Sequence, residues 1–363
     1  MRGEFSTPVC EETASMNAET ATVRTVAIVG HTASGKTSLI DAALYIARAT
    51  HAHGRVANGT SQVDCLPDEI ERKSTVHAKP VSWEWEGTRM YFIDTPGVAD
   101  FFGDVVAAIH AADAAIVVVD GVSGIEVGTR RVWKLLDELQ RPRMIFVSKL
   151  DKEHSDFFKC VEQIRSAFGK NCIPFELPVG TEARFSKVLN LRTTPEADVP
   201  AELREQFHRA HESLAEAAAE QDDKLLEEYL GGQELSIEEI TSGTHTGISR
   251  GAIVPIYCGC AEKEIGVRNL LEGVKALMPS PTERQAEPTE ESSPLRLTAD
   301  APFSGVVFKV TVDPFAGHLA YVRVESGTLR PEMEVLNTTR GVREKVPPRL
   351  RIQAKSPPRG PKA

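Results

Sequence analysis

The sequence is poor in cysteine: six residues in 363, at Cys10, Cys65, Cys160, Cys172, Cys258 and Cys260, spaced too unevenly to build a disulfide framework. Reduced thiols are expected. Cys258 and Cys260 are close, but with no second pair or histidine cluster beside them they read as the end of a buried strand and not as a zinc site. Long apolar runs are missing too. The longest uncharged one, Ala114 to Val119, falls far short of the roughly 20 residues a membrane span needs, so no membrane partner is expected. The first 22 residues carry Glu4, Glu11, Glu12 and Glu19 against Arg2 alone and hold no apolar stretch, unlike a secretory signal or an acid-poor transit peptide. A disordered tail over residues 1–22 and a cytoplasmic location are the expectations. No internal repeat or low-complexity tract is present.

What is there belongs to a folded globular chain. Apolar residues reach 41% before the 26 glycines are added, and charged residues 26%. At about 150 residues per domain, the length predicts two or three domains. Charge is unevenly distributed: 11 Lys and Arg face 5 Asp and Glu from Ala301 onward, against 31 and 47 before it. Such asymmetry fits either a surface for an anionic partner such as RNA or a solvated basic tail, and the second is the simpler reading.

Arg24 to Val29 is a short β-branched run ending at Gly30, and Lys36 to Ala49 spaces Leu39, Ala43 and Ile46 as a helix does. Val81, Trp83 and Trp85 alternate before Glu86-Gly87, and Arg89 to Ile93 follows, which predicts a hairpin. Ala114 to Val119, Arg143 to Ser148 and Ile253 to Cys258 read as buried strands with helical text such as Arg130 to Leu139 between them. That pattern predicts an α/β fold with a mostly parallel sheet covered on both faces. A helical insertion over about 156–245 is expected from Leu203, Phe207, Ala210 and Leu214 in an acidic, alanine-rich segment. After a proline-rich linker at 281–298, Gly305 to Val312 and His318 to Glu325 carry the text of a small β-barrel.

Gly30-His31-Thr32-Ala33-Ser34-Gly35-Lys36-Thr37, between a strand and a helix, fits the phosphate-binding loop in full. Its amides and the helix end beyond it would face the β-phosphate, Lys36 would bridge the β- and γ-phosphates, and the Thr37 hydroxyl would ligate Mg²⁺. Asp94-Thr95-Pro96-Gly97 ends the next strand, placing Asp94 to hold Mg²⁺ through a water and the Gly97 amide to meet the γ-phosphate. Ser148-Lys149-Leu150-Asp151 ends another strand. There the Asp151 carboxylate can accept from the two donors, N1 and N2, that guanine has and adenine lacks, while the stem of Lys149 packs on the ring.

These motifs in order resemble a translational GTPase, and within that group elongation factor G and its elongation factor G-like homologue, from about Val23 to Val346. The resemblance implies a P-loop GTPase domain over 23–280 with its helical insertion, then an incomplete translation-factor β-barrel over 299–346 and a basic, proline-rich tail over 347–363. It implies GTP and GDP with Mg²⁺ as cofactors, the ribosome and its RNA as partner, and a monomer. Glu71-Arg72-Lys73-Ser74-Thr75-Val76 is similar to the family's switch, which makes Thr75 a second Mg²⁺ hydroxyl. Gly259-Cys260-Ala261 is similar to its fifth motif, whose amides contact guanine. The implied nucleotide site is thus Gly30, His31, Thr32, Ala33, Ser34, Gly35, Lys36, Thr37, Ser38, Asp94, Gly97, Ser148, Lys149, Asp151, Gly259, Cys260 and Ala261. Lys36, Gly97 and Thr75 are the implied catalytic groups, and Thr37, Thr75 and Asp94 the metal ligands.

Three positions depart from the family's pattern. Ser148 stands where it has Asn, Ala33 where it has Asp, and Val98 where a water-positioning histidine normally follows Asp-Thr-Pro-Gly. Slow hydrolysis is expected in consequence. Two alternatives stay open: a GTP-dependent binding module with little hydrolysis, and a ribosomal-protection or release-factor relative. The family-like text fades after Val346 into Pro347-Pro348, so a truncated product with an open barrel edge is expected.

Overall fold

The computed structural model describes residues 20–284, 298, 300–313 and 317–347. Residues 1–19, most of the expected linker and the basic tail beyond Pro347 lie outside the described residues. Residues 20–22, assigned to the leading tail by sequence, instead form a 3₁₀ turn (Thr20–Thr22), which packs against a second such turn, Pro281–Glu283.

The chain runs β1 (Val23–Gly30), α1 (Lys36–Ile46), α2 (Pro67–Arg72), β2 (Lys79–Trp85), β3 (Thr88–Asp94), α3 (Phe102–Ala111), β4 (Ala114–Asp120), α4 (Val127–Glu138) and β5 (Arg143–Ser148). It continues with α5 (Phe157–Phe168), β6 (Cys172–Pro174), β7 (Glu176–Val179), β8 (Lys187–Asn190), α6 (Arg204–Ala219), α7 (Asp223–Leu230), α8 (Ile237–Ser249), β9 (Val254–Cys258) and α9 (Val267–Leu277). Seven strands form one sheet in the order β2-β3-β1-β4-β5-β9-β6, all parallel except the hairpin strand β2. Every residue of β4, β5 and β9 is buried, as the near-continuous apolar text requires of strands covered on both faces. The helices cover them with apolar stripes: Val132, Trp133 and Leu136 from α4, and Leu270, Leu271, Val274 and Leu277 from α9. Trp133 stacks on Phe168 of α5 with ring centroids 4.0 Å apart.

The expected insertion needs a correction at its start. Within 156–245, α5 packs on β6, and β6 pairs with β9 as the edge strand of the main sheet, so these residues are part of the sheet domain. The chain leaves that sheet after Pro174. It makes the small hairpin β7–β8, then α6, α7 and α8, with Leu214, Ala218 and Ile248 buried among them.

Beyond the linker, β10 (Ser304–Asp313) and β11 (Gly317–Ser326) form one antiparallel pair, and β12 (Glu334–Asn337) and β13 (Val342–Lys345) another. No closed barrel is seen among the described residues. The first pair is fastened to the sheet domain by charge. Asp113, buried at the head of β4, accepts from both terminal nitrogens of Arg323 at 3.1 and 2.6 Å. Arg284 lies 3.9 Å from the same carboxylate and reaches Glu325 at 3.0 Å. Lys309 of β10 donates to the Ala78 carbonyl at 2.7 Å and to Asp104 of α3 at 2.9 Å. Removing one side of a buried ion pair leaves the other charge without compensation, at about 3 to 5 kcal/mol. Asp113→Ala is expected to lower stability by that amount in urea unfolding, whereas a loss under about 1 kcal/mol would class the contact with surface pairs.

Candidate nucleotide-binding site

Four of the motifs end parallel strands on one side of the sheet, where open α/β sheets bind ligands: the loop after β1, Asp94 after β3, Ser148 after β5 and Gly259 after β9. Gly30 opens the first loop at φ +148°, with its Cα so near β4 that a Cβ would stand 2.4 Å from the Val118 carbonyl oxygen. Only glycine fits there. His31, Thr32 and Ala33 then cross the strand ends, and Gly35 hands the chain to α1, whose first turn holds Lys36, Thr37 and Ser38. Ser34 is buried.

Hydrogen bonds join the motifs to one another. Thr37 Oγ1 donates to Asp94 Oδ2 at 2.8 Å and lies 2.8 Å from Thr75 Oγ1, which is itself 3.3 Å from the same oxygen. The three expected metal ligands therefore meet at one point. Ser148 Oγ donates to the Ser34 carbonyl at 2.6 Å and is 3.2 Å from that of Val119, so the hydroxyl standing in for the family's amide clamps the phosphate loop to β4 and β5. Leu150 N–H reaches the Gly259 carbonyl at 3.3 Å, and Gly259 N–H the Val147 carbonyl at 2.9 Å. Cys260 turns its thiol to Asp151, and Ala261 begins the next 3₁₀ turn.

Gly97 is pressed against the phosphate loop: a Cβ on it would lie 2.6 Å from Lys36 Nζ and 2.7 Å from Thr32 N. Its backbone thus joins Lys36 and the loop amides around one small space. Lys36 Nζ donates to the His31 carbonyl at 2.7 Å. Burial pushes its pKa down to about 8 against the pull of Asp94 and Asp64, and pushes Asp94 up to about 7 with the Asp64 charge adding to it.

The family description of the elongation factor Tu GTP-binding domain matches residues 21–280. The chain belongs to that family. A second description, elongation factor G domain 2, matches residues 302–352. Among solved structures, a crystal structure of a protein from Thermus thermophilus is 36% identical, with a TM-score of 0.79 over 90% of this chain and 48% of that one. This chain therefore spans about half the length of the protein it matches.

In a member of the elongation factor Tu GTP-binding family, Mg²⁺ is the implied metal, and the residues present fit it. Two hydroxyls and a carboxylate converge, all hard oxygen donors, and Asp94 Oδ1 is buried with no hydrogen-bond partner among the described residues. Two contributors escaped the sequence reading. Asp64 accepts from Thr75 Oγ1 at 3.0 Å and faces Lys79 Nζ at 3.5 Å, in a loop with no periodicity to mark it. Asp120 accepts from Lys149 Nζ at 2.7 Å and from Val122 N–H at 2.8 Å. Its position had a signal: an acidic residue closing a wholly apolar parallel strand. His31, expected among the nucleotide contacts, turns its ring toward α4, where Nδ1 accepts from Gly128 N–H at 3.3 Å and Nε2 lies 3.4 Å from Glu126.

Proposed function

We propose that this chain binds GTP with Mg²⁺ and hydrolyses it to GDP and phosphate at the ribosome, as a translation factor of the elongation factor G kind serving translocation or ribosome disassembly. The meeting of Thr37, Thr75 and Asp94 beside Lys36 and Gly97, with Asp151 following β5 two strands along the same sheet edge from β1, carries the reading. Asp151, Lys149 and the amides of Cys260 and Ala261 would take the guanine. Lys36 and the Gly97 amide would face the γ-phosphate as a water attacks it and its bond to the bridging oxygen breaks. Thr37, Thr75 and Asp94 would hold Mg²⁺, which when bound would neutralise charge on the phosphates. In this reading the GTPase domain occupies 23–280 and the barrel domain begins at 299, and the chain works as a cytoplasmic monomer whose partner is the ribosome's RNA. No helix among the described residues is long and apolar enough to cross a membrane.

A second reading, binding with little hydrolysis, draws on Val98, an apolar residue directly after Gly97. The test is GTP binding and single-turnover phosphate release with and without Mg²⁺ and ribosomes. Binding that needs Mg²⁺, resists ATP competition and leads to ribosome-stimulated release is the expected result. Tight binding without release supports the second reading, and equal competition by ATP overturns both.

A further inference from the structure

Glu176 opens β7 at the point where the chain leaves the main sheet. Phe175 still donates its N–H to the Ile256 carbonyl at 2.9 Å, while Glu176 pairs with Asn190 of β8. The Glu176 side chain is fully buried and turns back toward the sheet, where Oε2 accepts the N–H of Cys258 at 3.1 Å. Cys258 directly precedes Gly259, Cys260 and Ala261. Oε1 has no hydrogen-bond partner among the described residues. Around the carboxyl stand Arg192 beyond β8, Tyr257 and Cys258 of β9, and Asn269 and Glu272 of α9. Arg192 lies over the Phe175 ring at 6.0 Å and reaches Thr241 Oγ1 of α8 at 3.0 Å. Tyr257 packs its hydroxyl against Gly273 of α9, where a Cβ would come within 2.3 Å of it. Nucleotide contact needs none of these groups, yet they lie between α8 and the residue before the guanine loop, with Arg192 acting on Glu176 through its charge and Glu176 bonded to the Cys258 N–H.

We propose that Glu176, with the Arg192 charge near it, is a positioning residue for the guanine-recognition loop, holding Gly259, Cys260 and Ala261 in place through the Cys258 N–H and setting the rate of nucleotide release. This rests on the reading of those three residues as guanine contacts. Burial pushes the Glu176 carboxyl up to about 8, above the opposing effects of the Cys258 N–H, Asn269 and Arg192, so near neutrality it is a neutral acid. Ionising it places a charge among these groups, opposed by the Glu272 charge and favoured by that of Arg192. Tyr257 and Cys258, both pushed up by burial, stay neutral throughout.

The experiment follows release of fluorescently labelled GDP from the whole chain between about pH 6.5 and 9. It compares wild type with Glu176→Gln, Glu176→Ala and Arg192→Met, each checked for an unchanged circular dichroism spectrum. Lys36 and Asp94, at about 8 and about 7, titrate in the same range, and the Gln variant keeps their share. The ratio of wild-type to Gln release is expected to grow several-fold with rising pH. Glu176→Ala, which leaves the Cys258 N–H buried without its acceptor, is expected to release about 10-fold faster than Glu176→Gln at every pH. Arg192→Met is expected to quicken release with Glu176 intact. Hydrogen exchange at residues 256–262, measured without nucleotide, is expected to speed up in the Ala variant and not in Gln. A wild-type chain that binds no labelled GDP overturns the guanine reading and this inference with it. One that binds it, while the Gln and Ala variants release it as wild type does and exchange is unchanged, overturns the inference alone.

Discussion

Asp151→Asn is expected to abolish the preference for guanine over other purines, a loss of about 10⁴-fold in discrimination, and to transfer it toward xanthine nucleotides. The wild-type carboxylate is built to accept. Burial pushes it upward, but the Cys260 thiol and Lys152, whose ammonium lies 3.4 Å from Oδ2, outweigh that and hold it below the usual carboxylate range. Asp151 Oδ1 is buried with no hydrogen-bond partner among the described residues, an acceptor in want of a donor. Adenine presents no pair of adjacent donors to it, and leaving such an acceptor unmade is what rejects the wrong base. Asparagine offers one donor and one acceptor, which suits the additional carbonyl of xanthine. Titrations with GTP, ATP and xanthosine triphosphate measure the change. A variant that keeps the wild-type order of affinities would show that the base is read elsewhere.

Val98→His is expected to speed single-turnover hydrolysis by about 10² to 10⁴, the usual worth of one positioned catalytic group. Val98 precedes the 3₁₀ turn Ala99–Phe101 in extended backbone, at φ −75° and ψ 136°, directly after the Gly97 that touches Lys36 and Thr32. Its branched apolar side chain has no atom that can orient a water. His31, on the phosphate loop, has both ring nitrogens turned to Gly128 and Glu126. Affinity for GTP should change little, because the groups that hold the phosphates are untouched. Rates measured for both chains with ribosomes present decide it, and equal rates would place the water under the control of some other group.

The parts of this molecule that were legible from sequence are those where chemistry dictates residue type. A phosphate loop needs Gly30, Lys36 and Thr37 at fixed spacing, and a strand buried on both faces needs text like that of β4. Hydroxyls and carboxylates in loops carry no such periodicity. Asp64 stands 11 residues before Thr75, and only the folded loop brings its carboxylate 3.0 Å from that hydroxyl. The start of the insertion is hard to read in the sequence for a related reason. β6 is three residues long, too short for an alternation to register, and pairing with β9 alone makes it the sheet's edge. α9 hid behind Gly273, a poor helix former kept where a larger residue would strike Tyr257.

Lys309 of the second sheet bridges two separate limbs of the sheet domain. Its ammonium has two partners, and they belong to different limbs of the phosphate site: the Ala78 carbonyl lies three residues past Thr75, and Asp104 lies on the helix that follows Gly97. Asp104 also accepts the Ala78 N–H at 2.6 Å, so the two limbs are tied to each other before the lysine arrives. One ammonium thus joins both limbs to β10, so the placement of the second sheet is tied to the arrangement of the two together. Beside it, Arg323 and Arg284 gather on Asp113, so the same two strands are held at a second point that involves neither limb.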